Sequence, residues 1–350
     1  MENCDDFAMV GSDSDSRSPL AGPRTGSVRY GFFDTPIGPI RPVDHQLRSP
    51  LGGFVSERER DDHFRSFQFI GAVAPDMAAG CAVTSSQDRL TAFAYLWAEG
   101  EFTELRLGSR EDDVAEFAQD PDAGGTRLVT GRGSVAMIAE PGGGKRLVVQ
   151  SDRLGLDIAF GDGEVDVLRL CTPTGPTGWA YVQKVAAVPA VGSARVGSTT
   201  IDLEAVDAQA HHDYTTGFLR PETWWHWACV AARLDDGRRL GLNLSCGTNE
   251  SGYRENGAWI DDQWRPLAGA LFDFDPDDIE RPWIITSSDD SFELTFRSDH
   301  GYHARHDSET AAGNFHQLFG SFSGRLALAD GTELVVRDLP GFAESQYLRW

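Results

Sequence analysis

At 350 residues the chain is longer than a typical single domain, and its 40% hydrophobic content can build a sizeable core, so two domains are expected. A net charge of −23, from 31 basic and 54 acidic residues, argues against nucleic acid, which is gripped by Lys and Arg on phosphates, and against anionic membrane surfaces. No run of about eighteen apolar residues occurs, so no membrane span is expected.

The start, MENCDDFAMV, has neither a basic nor an apolar leader region, so a cytoplasmic location is expected. Residues 1–28 are rich in Ser, Asp, Gly and Arg and are expected to form a disordered tail. Five cysteines (Cys4, Cys81, Cys171, Cys229 and Cys246), widely spaced and without CxxC, read as reduced thiols. Arg29–Ile40, with Pro36 and Pro39, should be an extended edge segment. The charged stretch SERERDDHFRSF within Phe54–Phe67 suits a loop or a short helix. From Phe67 onward, short apolar runs recur every eight to twelve residues or so, separated by turns such as Glu99-Gly100 and Gly161-Asp162-Gly163. That rhythm predicts an antiparallel sandwich or up-and-down barrel. One helix is expected, Arg110–Gln119, because acidic residues crowd its first turn. CTPTGPTG at Cys171–Gly178 interrupts the pattern and predicts a boundary between domains at 29–175 and 176–350.

The densest aromatic stretch follows an Ala210-His211-His212-Asp213 cluster and contains Trp224, Trp225 and Trp227. Trp224–Leu234 reads as a strand, Asp235-Asp236-Gly237 as a tight turn, and Arg238–Ser245 as the returning strand. Trp225, Trp227 and Cys229 then face one way, and Trp224, His226 and Val230 the other. A strand apolar on both faces must be covered on both or line a cavity. Trp224, Trp225, His226, Trp227 and Trp259 are therefore the expected ligand-contacting residues. Asp213 is the candidate catalytic acid, because desolvation at an apolar pocket would raise its pKa, with His212 or His226 placed to assist. His211 and His212 must face opposite ways unless a bulge intervenes.

Two other constellations compete. Glu250, Glu255, Asp261 and Asp262 around Tyr253 and Trp259 are the alternative, a carbohydrate-active protein with paired carboxylates, although Glu255-Asn256-Gly257 also reads as a turn. His300, His303 and His306, with Asp299 and Asp307, do not form one ligand face on a helix or strand; a solvated loop is expected and no metal. The GGGK at Gly142–Lys145 lacks the remaining phosphate-loop residues and reads as a turn.

The succession of His212-Asp213, Trp225-His226-Trp227 and Asp236-Gly237 resembles the two-domain lipocalin-like superfamily of carotenoid 1,2-hydratases and AttH-like proteins, with HHDY here where the hydratases carry Asp-His. Through GWAYVQK (Gly178–Lys184), LGLNLSCGTNE, YRENGAWIDDQW and FGSFSGRLALADGTELVVRDLPGFAE, the chain more closely resembles the family called domain of unknown function 2804, over about residues 29–350. The resemblance implies an all-β fold of two lipocalin-like antiparallel β-barrels packed side by side. Such barrels hold one small apolar ligand. The expected function is binding, or conversion without a cofactor, of an isoprenoid- or lipid-like molecule in a barrel pocket; in the enzyme version Asp213 protonates an alkene, as the hydratases imply.

Overall fold

The computed structural model describes residues 20–22, 27–86, 89–161, 165–248 and 252–350. Within them the strands form three antiparallel sheets. The first sheet has eight strands, in the order Gly31–Phe32, Leu168–Pro173, Trp179–Pro189, Gln209–Phe218, Phe64–Ala74, Met77–Ser86, Arg89–Ala98 and Glu101–Gly108. The second has seven, from Thr199–Asp202 at one edge to Val114–Glu116 at the other. The third has nine, built on Glu222–Arg233, with Arg239–Cys246 on one side and Glu333–Arg349 on the other.

Side-chain alternation sorts these sheets into two barrels. Ile70, Ala72, Ala92 and Leu96 of the first sheet meet Leu128, Val135, Leu147 and Ile158 of the second in one core. In the third sheet, one face of strand after strand points into a single second core: Val230, Leu242, Ile285, Phe296, Phe322 and Val336. The opposite faces of the first and third sheets also meet, through Phe69, Tyr95, Val182, Trp227, Phe319 and Phe342. The architecture is all-β, two lipocalin-like antiparallel barrels packed side by side. The tryptophan strand is apolar on both faces because each face is covered: Ala228, Val230 and Ala232 lie inside the second barrel, while Trp227, Cys229 and Ala231 lie between the barrels.

The barrels touch most tightly where Gly241 faces Ala186. A Cβ on Gly241 would stand 2.8 Å from the Ala186 carbonyl carbon and oxygen. Ala186 borders a bulge, where the pairing with Gln209–Phe218 shifts register and Ala187 takes a φ of 59°. Gly241→Val should therefore push the barrels apart at a close-packed contact and cost about 1–3 kcal/mol. Urea unfolding of the two proteins is the measurement, and an unchanged midpoint would show the contact to be slack.

Cys171–Gly178 is followed by two strands of the first sheet, and the third sheet begins at Glu222. Strands Trp179–Pro189 and Gln209–Phe218 complete the first sheet because their apolar faces fit Leu168–Pro173 and Phe64–Ala74. Arg110–Gln119 is not a helix: Asp113 accepts a hydrogen bond from the Arg110 amide at 2.8 Å, closing one turn, and Val114–Glu116 then pairs with Arg127–Val129. The helix lies instead at Glu57–His63, where Ser56 Oγ accepts from the Glu59 amide and acidic residues occupy the first turn. Of the expected tail, residues 1–19 and 23–26 lie outside the described residues, as do Cys4, Asp162, Gly163 and Glu250. Leu20 is buried with Phe33 and Tyr181, and Ala21 bridges to Val28, so packing begins before Arg29. Cys81, Cys171, Cys229 and Cys246 are free thiols. Among the described residues, no helix is long and apolar enough to cross a membrane.

Candidate functional site

The cavity of interest lies outside the two barrel cores. It occupies about 320 Å³ between the first and third sheets. One wall carries Phe67, Phe69, Phe93 and Tyr95; the other carries Trp225, Trp227 and Phe315. The pocket is expected inside a barrel; this cavity lies between two, where aromatic faces meet buried charge.

That charge arises from strand register. Lys184 and Asp213 are direct cross-strand partners on the first sheet, with Nζ 3.0 Å from Oδ2. Asp213 also accepts from Thr215 Oγ1 at 3.2 Å. From the second barrel, Glu255 Oε1 lies 3.1 Å from the same Nζ and accepts from Ser245 Oγ at 2.6 Å. The Lys184 ammonium also sits 4.7 Å from the Trp227 ring centroid. Trp227 Nε1 donates to Asn243 Oδ1 at 2.7 Å, and Asn243 Nδ2 donates to the Glu255 carbonyl at 2.8 Å. Glu255 and Asn256 are therefore buried parts of the wall rather than an exposed turn. A fourth charged group, Glu344, pairs across strands with both Trp227 and Gln317. Its carboxylate accepts from Trp225 Nε1 at 2.6 Å and from Gln317 Nε2 at 3.4 Å.

The protonation states follow from burial. Desolvation pushes the Glu344 pKa up to about 7, the Asp213 charge adds to it, and the Trp225 hydrogen bond and Lys184 work against it. Desolvation also raises the Asp213 pKa; Lys184 lowers it and Glu255 adds to the rise. Burial works against the Lys184 ammonium, but Asp213 and Glu255 together outweigh it and lift its pKa above the ordinary lysine value. One lysine thus faces three carboxyls, and one of them, Glu344, is able to exchange a proton near neutrality.

The remaining expected residues lie apart. His212 faces the other side of its strand, where Gln68 Nε2 is 3.2 Å from its Nε2. It cannot assist Asp213, since adjacent residues on a strand face opposite ways and the bulge comes in the neighbouring strand. His211 does share the Asp213 face, but it is packed between Phe69 and Phe342 at 5.2 and 5.1 Å, and burial depresses its pKa to about 3. Trp225 and Trp227 line the cavity; Trp224, His226 and Trp259 do not. Trp224 is 47% exposed. His226 turns into the second barrel against Phe274 and Trp283, and Trp259 is buried with Nε1 donating to the Asp166 carbonyl at 2.7 Å.

The alternative carboxylate set is dispersed. Asp261 and Asp262 form a turn with positive φ and pair with Arg239, whereas Glu255 points to Lys184. His300, His303 and His306 lie not on a loop but on the strand Phe292–Asp307. His300 stacks on Phe102, His303 contacts His316 and Glu280, and His306 reaches the outer end of the cavity. Among the described residues, no three His, Cys, Asp or Glu side chains gather as metal ligands.

Sequence reasoning missed Lys184 and Glu344. The signal was available for Lys184: a single charge inside the apolar run WAYVQKVAAVP, which is buried almost throughout.

Comparison with known proteins places the fold. CghA is similar over 82% of this chain and 88% of its own, at 11% identity and a TM-score of 0.52. Kievitone hydratase from Nectria haematococca is similar over 81% and 88%, at 9% identity and a TM-score of 0.47. An AttH structure from Nitrosomonas europaea gives 81% and 92%, at 12% identity and a TM-score of 0.49. No curated protein matches the sequence. The family model described as Domain of unknown function (DUF2804) matches residues 95–350, and the chain belongs to that family.

Proposed function

We propose that the chain binds a small, mostly apolar molecule in the inter-barrel cavity and transfers a proton to or from it. Asp213, anchored by Lys184, and Glu344 are its two acid–base groups. The observation that carries this reading is the placement of Asp213 and Glu344, on opposing sheets, in the walls of one aromatic cavity, both with pKa values raised by burial. Aromatic walls exclude water, which strengthens every charge effect inside. CghA, which shares the fold, has been solved with Sch210972, and this supports the view that the architecture accommodates small molecules. Isoprenoids and other unsaturated lipid-like compounds offer both the apolar surface and a protonatable bond.

Incubating the protein with a panel of isoprenoids, fatty acids and polyketides, followed by mass spectrometry, tests the reading. With the compound that is turned over, Asp213→Asn should lower the rate by about two to four orders of magnitude. Quenching of Trp225 and Trp227 fluorescence by that compound should persist in the variant. Undiminished turnover in Asp213→Asn would remove Asp213 from the chemistry. Compounds returned unchanged across the whole panel would leave a binding protein.

A further inference from the structure

We infer that the cavity is a cation site: the inner end of its ligand is a positively charged nitrogen, held against Glu344, on an otherwise apolar molecule. This names the ligand class for the cavity and rests on the reading that the cavity binds a small molecule. Three observations carry it.

The first is charge. Asp213, Glu255 and Glu344 face the inner cavity, and Lys184 is the cation set among them, shared between Asp213 and Glu255. Arg106 and His306 line the outer end, where Arg106 lies 3.5 Å from Glu104 and over the Phe93 and Tyr302 rings. The inner cavity therefore carries an excess of carboxyls over cations. An anionic ligand would be repelled there, and an ammonium would supply the missing positive charge.

The second is the direction of the hydrogen bonds. The donors around the floor already serve the carboxyls: Thr215 serves Asp213, Ser245 serves Glu255, and Trp225 and Gln317 serve Glu344. With its amide nitrogen turned to Glu344, Gln317 leaves its oxygen buried and without a hydrogen-bond partner among the described residues. Carboxyl oxygens outnumber the free donors of the floor, and an ammonium brings three donors and no acceptor.

The third is the aromatic lining. Trp225, Tyr95 and Phe67 present ring surface beside Glu344 and Gln317. Ring faces attract a cation, as Trp227 already does for Lys184.

Octylamine, octanol and octanoate share a chain and differ in head-group charge, so they separate these contributions. Binding is followed by tryptophan fluorescence and by titration calorimetry in two buffers of different ionisation enthalpy. The amine should bind at least about tenfold more tightly than the alcohol, and octanoate should not bind measurably. Because a bound cation favours ionised Glu344, amine binding at pH 7 should release roughly half a proton, falling towards zero near pH 9. Glu344→Gln should reduce amine affinity to that of octanol and abolish the proton release. The urea unfolding transition of the variant, measured alongside, shows that it is folded. Equal affinity for amine and alcohol, or tighter binding of octanoate, overturns the cation site while leaving a ligand cavity in place. If none of the three alters fluorescence or heat, the cavity is not a ligand site, and the reading beneath this one falls as well.

Discussion

Lys184→Met should destabilise the protein by about 3–5 kcal/mol at neutral pH, although methionine fills nearly the same volume. In the native chain one ammonium satisfies Asp213 at 3.0 Å and Glu255 at 3.1 Å. Removing it leaves two desolvated carboxylates with, among the described residues, Thr215 and Ser245 as side-chain donors. Each must then either stay charged without a partner or take up a proton, and both choices cost free energy. The loss should shrink as the pH falls towards 4, because protonated carboxyls need no cation. It should also shrink in the triple variant Lys184→Met/Asp213→Asn/Glu255→Gln, which removes the whole ionic group at little change in shape. Urea unfolding of the wild type, the single and the triple variant at pH 7 decides the matter. A single variant as stable as the wild type would mean that Asp213 and Glu255 are reached by water and need no lysine.

The sequence and the structure agree best where periodicity and turn chemistry act locally. The hairpin through Asp236-Gly237 forms between Glu222–Arg233 and Arg239–Cys246, and its alternation sends Trp225 and Trp227 to one face and His226 to the other. Asp213 is partly buried, on a strand that the tryptophan strand of the other sheet system faces. What could not be read was the partner of each face. Trp224 and Trp225 are indistinguishable by composition, yet one is near the surface beside Gly247 and the other donates to Glu344, 119 residues away. Glu344 ends a run that reads as an ordinary closing strand, and only the packing of the third sheet against the first brings it into the same cavity as Asp213. Strand pairing over such separations is set by whole-sheet complementarity, which no local window contains. Sheet membership beyond Cys171–Gly178 has the same origin: the chain turns there, and the strands after it pair backwards with Leu168–Pro173 and Phe64–Ala74.

Glu344 should make the protein progressively less stable as the pH rises from about 4.5 to 7. Its pKa lies near 7 in the folded chain, against an ordinary value of 4.5. Between those values the folded state holds a proton that the unfolded state has lost, so stability falls with rising pH and levels off above the folded pKa. The gap corresponds to roughly 3 kcal/mol, at about 1.36 kcal/mol per pKa unit. Glu344→Gln keeps a carbonyl acceptor for Trp225 Nε1 and cannot ionise. Relative to wild type, the variant should be near neutral at pH 4 and more stable by up to about 3 kcal/mol at pH 8. Unfolding free energies of both proteins measured across this range give the comparison, since groups remote from Glu344 titrate alike in both. Parallel curves would show that Glu344 ionises as freely as an exposed carboxyl and would remove it as an acid–base group near neutrality. A difference that opens with pH would instead show a buried acid that costs stability in the empty cavity. A cationic ligand relieves that cost by letting the proton leave, so octylamine should stabilise the wild type more at pH 8 than it stabilises Glu344→Gln.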